Sequence, residues 1–213
     1  MIRLDYLPGT DLKLYQDSEQ YCMTTDTRLL GEFLKLKPHQ TILDVGTNNG
    51  ALLLYCLAFQ PRALIGVDVN PLGLELARQT MALHHVECSE WIEGDFRSIN
   101  RPADVIICNP PYFRESTPSQ VTHRNIAMHD TDHFIDDLFR YALTYLTDQG
   151  ELHLIYPADE LEGLIELGLS AGLHVKRMQF AYKSSKQVAH VVMLAFRKNA
   201  RKGCVVEMPV IIR

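Results

Sequence analysis

The chain has no apolar run long enough to span a membrane, and no charged-then-apolar leader opens it. Internal repeats, low-complexity tracts and linker-like stretches are absent, so residues 1–213 are expected to form one domain. Residues 1–40 would be an N-terminal extension with a first helix, and 41–213 the main body. Cysteine is sparse: Cys22, Cys56, Cys88, Cys108 and Cys204 are an odd, scattered set without close pairs. That excludes a disulfide or zinc framework and suggests small buried hydrophobes in a reducing compartment, with the cytoplasm as the expected location. His129 and His133, with Asp130 and Asp132 beside them, lack a third histidine or a cysteine pair at ligand spacing, so no metal is expected. The glycines at 46 and 50 do not make the G-x-G-x-x-G fingerprint of dinucleotide binders.

The net charge of −5 does not announce a nucleic-acid partner, but its distribution is uneven. From Gly172 onward nine basic residues (Lys176, Arg177, Lys183, Lys186, Arg197, Lys198, Arg201, Lys202, Arg213) face the single acid Glu207, a balance of +8. Twelve of the 21 basic and 25 of the 26 acidic residues come earlier, which leaves −13 for the rest. Such a tail is either an electrostatic footprint or a solvated hairpin that carries lysines.

What the chain does have is regular alternation. Thr41–Val45 reads as a strand, followed by Gly46-Thr47-Asn48-Asn49-Gly50 and a helix over 51–60. A second strand over 63–69 contains Asp68, and Asn70-Pro71 opens a helix with proline at its favoured first position. A third strand around Trp91-Ile92 leads into Gly94-Asp95-Phe96. The apolar run Val105-Ile106-Ile107-Cys108 is a fourth strand, buried on both faces. After a long polar loop (113–131), Phe134, Leu138, Ala142 and Tyr145 mark a helix, Leu152–Tyr156 a strand, and Leu161 to Gly168 a helix closed by Gly172. The strands 175–182 and 188–196 are joined by Lys183-Ser184-Ser185-Lys186, too short for a helical crossover, so they must be antiparallel. Near the start, Leu12–Gln16 is a candidate edge strand. Thr25 or Asp26 can cap a helix bearing Leu29, Leu30, Phe33 and Leu34 that ends near Lys37-Pro38. The pattern predicts an α/β fold: a doubly wound, mostly parallel, seven-stranded Rossmann-like sheet with a reversed strand in the C-terminal hairpin.

In such sheets ligands bind beyond the carboxyl ends of the strands. Asp44 to Gly50, Asp68, Asp95 and Asn109 all sit at such ends and should line one crevice. Asp68, 24 positions after Asp44, can accept two hydrogen bonds from ribose hydroxyls. Asp95 can accept from an adenine amine, with Phe96 adding a backbone donor and an apolar face. Either aspartate could instead be a helix cap. Asn109-Pro110-Pro111-Tyr112 is the centre of the reading. Two prolines after a strand lock the chain extended, so the Asn109 amide and the Pro110 carbonyl can point the same way as two acceptors beside an aromatic face. That suits a planar group bearing an NH2. A strand-ending turn with a packing tyrosine is the alternative.

Ile42 to Gly50, Asp68, Asp95 and Asn109 to Tyr112 resemble the motif series of class I S-adenosylmethionine-dependent methyltransferases, in order and at ordinary spacing. Arg3-Leu4-Asp5-Tyr6-Leu7, Leu12 to Gln16, Asp26 with Leu29-Leu30, and Ala127 with His129 resemble more narrowly the bacterial tRNA adenine-N6 methyltransferases, which act on the adenine 3′ of the anticodon in a valine tRNA. Asn48 stands where that family usually has glycine, and Met128 where it tends to have arginine. The resemblance implies S-adenosylmethionine as cofactor, held by Asp44, Gly46, Asn48, Gly50, Asp68, Asp95, Phe96 and Asn109. It implies catalysis by Asn109, Pro110 and Tyr112. tRNA is the partner it implies, with Arg114, Arg124, His129, Lys183 and Lys186 toward the RNA, and a monomer is the default. The tetrapeptide is shared with protein glutamine-amide and ribosomal guanine-N2 methyltransferases. A non-enzymatic cofactor-binding scaffold is a third reading.

Overall fold

The computed structural model describes residues 1–18, 22–111 and 133–212. An antiparallel hairpin of β1 (Ile2–Tyr6) and β2 (Lys13–Asp17) opens the chain. β2 matches the expected edge strand, whereas β1 adds to the expectation. Ile2, Leu4 and Tyr6 do alternate with polar residues, but all three stay exposed, so the alternation marks no core face. Helix α1 (Thr25–Phe33) is capped by Thr24, one residue before the predicted cap, in a capping box closed by Thr27. It stops at Phe33 rather than near Pro38. The Arg177 side chain takes the freed Phe33 carbonyl (2.7 Å) and stacks over the Phe33 ring.

The main sheet has nine strands, in the order β10-β8-β9-β7-β6-β3-β4-β5 with β11 also on β8. They are β3 (Thr41–Val45), β4 (Ala63–Asp68), β5 (Ser89–Glu93), β6 (Ala103–Cys108), β7 (Leu146–Pro157), β8 (Leu173–Tyr182), β9 (Val191–Lys198), β10 (Val205–Val206) and β11 (Val210–Ile211). All pairings in it are parallel except those of β9, which runs against both β7 and β8. The reversed hairpin strand is therefore as predicted. β10 and β11, of two residues each, are too short to leave a periodic signal and account for the difference from seven. β7 also starts earlier than predicted, directly after its preceding helix.

The strand period of two splits the apolar side chains between two faces. Ile42, Val105, Ile107, Met193 and Ala195 pack in one cluster with α1 and α2 (Ala51–Cys56), to which Met81 of α3 (Pro71–Leu83) also belongs. Leu43, Ile106, Leu194 and Phe196 pack in the other, under α4 (Phe134–Tyr145) and α5 (Leu161–Ser170). Among the cysteines only Cys56 and Cys108 are buried; Cys88 and Cys204 are exposed, which corrects the expectation of five small core residues.

Gly31 is where α1 and α2 meet most closely. A Cβ there would lie 2.3 Å from the ring of Tyr55, whose hydroxyl is tied to the Pro8 carbonyl (2.9 Å). The ring cannot swing away without losing that bond. Gly31→Ala should cost about 1–3 kcal/mol, the usual scale of overpacking, read as a lower urea midpoint with an unchanged slope.

Candidate active site

The chain runs outward from β3 through β4 to β5, then returns to β6 on the other side of β3. The switch point thus lies between β3 and β6, and the loops at their carboxyl ends border one crevice. The β3 loop enters it through three left-handed residues, Gly46 (φ 74°), Asn48 (φ 47°) and Gly50 (φ 75°). Asparagine adopts this geometry more readily than other side chains, which explains its presence at 48. The loop is pinned to β4 by the Gly46 N–H on the Val67 carbonyl (2.9 Å) and by the Asn48 N–H on Asp68 Oδ2 (2.7 Å). Asn70 N–H donates to the other oxygen, Oδ1 (2.8 Å). Burial raises the Asp68 carboxyl, and the N–H groups of Asn70, Asn48 and Val69 temper that rise. A Cβ built on Gly46 meets nothing within 4 Å, so this turn faces open space.

Asp44 is different in kind. It is 0% exposed, and neither carboxylate oxygen has a hydrogen-bond partner among the described residues. Burial pushes its pKa up to about 7; the nearby Thr47 hydroxyl tempers the shift and the Asp68 charge adds to it. An acceptor pair buried in this way is costly unless a donor or a cation meets it.

Asp95 and Phe96 follow β5, as predicted, but their side chains are otherwise engaged. Arg97 grips the Asp95 carboxylate (Nε to Oδ2 2.8 Å) and holds it below the ordinary carboxylate range. Phe96 is buried, with its ring edge-on to Phe134 and Tyr141, so the apolar face expected for a ligand belongs to the core.

Asn109 leaves β6 half-buried, and its Nδ2 donates to Thr27 Oγ1 (3.1 Å) in the first turn of α1. Pro110 is buried and Pro111 exposed. Tyr112, Arg114, Arg124 and His129 lie outside the described residues. The contact to Thr27 is one that the sequence reading misses. Nothing in the local sequence signals it, since Thr24 and Thr27 serve locally only as a helix cap. Another missed contact is Asn49, whose Nδ2 donates to the Tyr15 carbonyl (3.0 Å), so the N-terminal hairpin is tied to the β3 loop.

Lys183 and Lys186 are exposed on the β8–β9 turn. Because Val191 pairs with Pro157 at the end of β7, that turn stands on the same edge as the crevice. With Thr24, Thr25, Asp26, His190 and Ile212, Lys183 lines a cavity of about 300 Å³. The rest of the basic tail is divided. Lys176 donates to the carbonyls of Arg201 and Gly203, Arg177 pairs with Glu207 (2.8 Å), and Arg197 with Glu151 (2.8 Å). Lys198 donates to the carbonyls of Leu143 and Leu146 where α4 passes into β7. The +8 balance is therefore not one basic surface. Among the described residues no three His, Cys, Asp or Glu side chains converge as metal ligands, and no helix is long and apolar enough to cross a membrane.

The family model of the methyltransferase small domain matches residues 22–161, which include the carboxyl ends of β3, β4, β5 and β6. This chain belongs to that family. The methyltransferase is 30% identical over 188 residues to the tRNA1(Val) (adenine(37)-N6)-methyltransferase of Vibrio campbellii, covering 84% of this chain and 76% of that one. It is 29% identical over 210 residues to the protein of the same name from Phocaeicola vulgatus, covering 95% and 87%. Among solved structures, a methyltransferase from Pyrococcus furiosus superposes with a TM-score of 0.68 at 18% identity, covering 91% of this chain and 92% of that one. The tRNA m1G37 methyltransferase of Methanocaldococcus jannaschii gives 0.65 at 18%, covering 94% and 57%. The reversed-strand sheet is the fold of these proteins.

The raised Asp44 pKa has a testable sign. A carboxyl with a folded pKa of about 7 and an ordinary value of 3.8 costs stability as pH rises between those two values. The full effect is on the order of 4 kcal/mol. Asp44→Asn should therefore gain on wild type as pH rises from about 4 to about 7 in urea unfolding. A stability difference that is flat with pH would return Asp44 to an ordinary carboxylate.

Proposed function

We propose that this methyltransferase carries a methyl group from S-adenosylmethionine to the exocyclic N6 of an adenine in tRNA, at the position 3′ of the anticodon, in the cytoplasm. What supports it is the placement of Asp44, Asp68 and Asn109 at the carboxyl ends of β3, β4 and β6, beside the switch point. Asp44 offers an unmet acceptor pair that suits the cationic amino-acid end of the cofactor, and Asp68 has acceptor capacity for ribose hydroxyls beside the open turn at Gly46. The residues present fit that group. Bound there, S-adenosylmethionine supplies an electrophilic methyl on a sulfonium. The names of the relatives, at about 30% identity over most of the chain, support adenine in tRNA as acceptor.

The chain's own part is to hold the acceptor nitrogen in line. With Nδ2 on Thr27, Asn109 turns its oxygen the other way, and that oxygen with the Pro110 carbonyl can accept both protons of the adenine NH2. Held so, the amine keeps its lone pair toward the methyl. Tyr112 would stack on the base once it has left the RNA stack. No side-chain base is required, because the methylated nitrogen is acidic enough to release its proton to water. Lys183 and Lys186, on the crevice edge, would meet phosphate, with Arg114, Arg124 and His129 from the segment after Tyr112.

The test is transfer of tritiated methyl into separated tRNA, ribosomal RNA and protein fractions, followed by nucleoside analysis. Label is expected in N6-methyladenosine of tRNA. Label in methylglutamine or N2-methylguanosine would overturn the assignment. Asp68→Ala should weaken cofactor binding by at least about 1.5 kcal/mol in calorimetry, and Asn109→Ala should abolish transfer with cofactor affinity kept.

RNA binding separates the two groups of lysines. Replacing Lys183 and Lys186 by glutamine should flatten the salt dependence of tRNA binding by roughly two units, since each phosphate contact contributes about 0.9. Lys198→Gln should lower thermal stability and leave that slope unchanged, because its ammonium serves two backbone carbonyls.

A further inference from the structure

The N-terminal cap of α1 and the end of β6 share one oxygen. Thr27 Oγ1 accepts from Asn109 Nδ2 (3.1 Å), lies 3.4 Å from the Thr24 N–H that donates to it, and lies 3.2 Å from Thr24 Oγ1. Thr24 Oγ1 in turn accepts the Thr27 N–H (3.3 Å). A hydroxyl oxygen has two acceptor positions and one proton. In the arrangement seen, Asn109 Nδ2 and the Thr24 N–H both donate to Thr27 Oγ1, which leaves the hydroxyl proton for Thr24 Oγ1. Thr27 thus accepts from Asn109 here.

This matters because a carboxamide has two faces that exchange on a half-turn. If the Asn109 oxygen faced Thr27 instead, the Thr27 hydroxyl would have to donate to it, and the Asn109 NH2 would be turned into the crevice. There it would face the NH2 of an adenine, donor against donor. We propose that Thr27 is a positioning residue for methyl transfer: its contact with Asn109 Nδ2 holds the carboxamide in the orientation that leaves the oxygen for the acceptor amine. The assignment rests on the acceptor-binding role proposed above for Asn109. It makes the residues before the main sheet a working part of the site, because α1, anchored by buried Leu29, Leu30 and Phe33, supplies the group that orients a β6 side chain.

The test compares Thr27→Val, which keeps the shape and removes the hydroxyl, with Thr27→Ser, which keeps the hydroxyl. Thr27→Ala carries the comparison if the valine variant does not fold. Thr24→Ala removes the cap without touching Asn109. Two readouts are taken. The first is kcat and KM in transfer to tRNA. The second is the side-chain 15N–1H pair of Asn109 in asparagine-labelled protein, assigned by its loss in Asn109→Ala. Thr27→Val should lower kcat by roughly tenfold to a hundredfold, the scale of a misplaced reacting group, with KM for S-adenosylmethionine unchanged. Its Asn109 amide pair should shift and exchange faster with water. Thr27→Ser should restore both, and Thr24→Ala should lower Tm by roughly 2–4 °C while keeping kcat.

A folded Thr27→Val with wild-type kcat, or with an unmoved Asn109 amide, overturns the assignment. So does a loss of kcat in Thr24→Ala that matches that of Thr27→Val, since the effect would then be helix stability alone. The amide readout needs no RNA. A wild type that methylates no tRNA, with the amide shift of Thr27→Val still present, would fell the RNA reading and leave the Thr27 contact standing.

Discussion

A buried carboxylate whose two oxygens find no hydrogen-bond partner among the described residues is the constraint on which this site turns. Asp44 sits in the central strand β3, flanked by β4 and β6, and the apolar packing that stabilises the sheet is what raises its pKa to about 7. Asp68, on the neighbouring strand, is handled in the opposite way, with backbone N–H groups of the β3 and β4 loops aimed at its oxygens. Two acidic groups next to each other would repel if both were ionised. One is satisfied within the protein and the other is not. A cation reaching Asp44 would relieve the cost of burying it and so link binding to fold stability.

The crevice is also clasped from outside the alternating core. Asn49 of the β3 loop holds the Tyr15 carbonyl of the first hairpin, and Tyr15 N–H rests on Thr80 of α3. Asn109 holds Thr27 of α1. The segment before β3 therefore touches both sides of the switch point, the β3 loop beside Asp68 and the end of β6 at Asn109. Two side-chain amides, one on each loop, do the connecting.

Much of this was legible before any coordinates. Apolar runs such as Val105 to Cys108 read as strands because burial on both faces leaves no polar position to confuse the period. Aspartates at their carboxyl ends then fell into place by topology alone. The short joint Lys183 to Lys186 likewise fixed the sense of β9. Other features are invisible to such reasoning for physical reasons. A count of charges treats Lys198 and Lys183 alike, although one serves backbone carbonyls and the other faces solvent at the crevice edge. Phe96 follows a strand as a ligand-facing residue might, yet its ring turns into the core against Phe134 and Tyr141. α1 ends where a side chain from β8 can take its last carbonyl, a contact 144 residues distant in sequence. Thr27 escapes notice altogether, because nothing local says that its oxygen meets a side chain from the end of β6.

The outer margin of β8 has a consequence for how these molecules tolerate one another. A strand at the border of a sheet offers a row of unpaired backbone groups, and a long flat one invites another chain to add to it. Here the tail folds back along β8 as β10 and β11, two residues each, with Pro209 in the gap between them. Proline brings no N–H, so the ladder is interrupted just where an incoming strand would need continuity. Val205, Val206 and Met208 are exposed on this margin, a greasy stretch that would be hazardous on an unbroken strand. Broken into two short pieces, it makes a poor template for aggregation at the high local concentrations of a crowded cell.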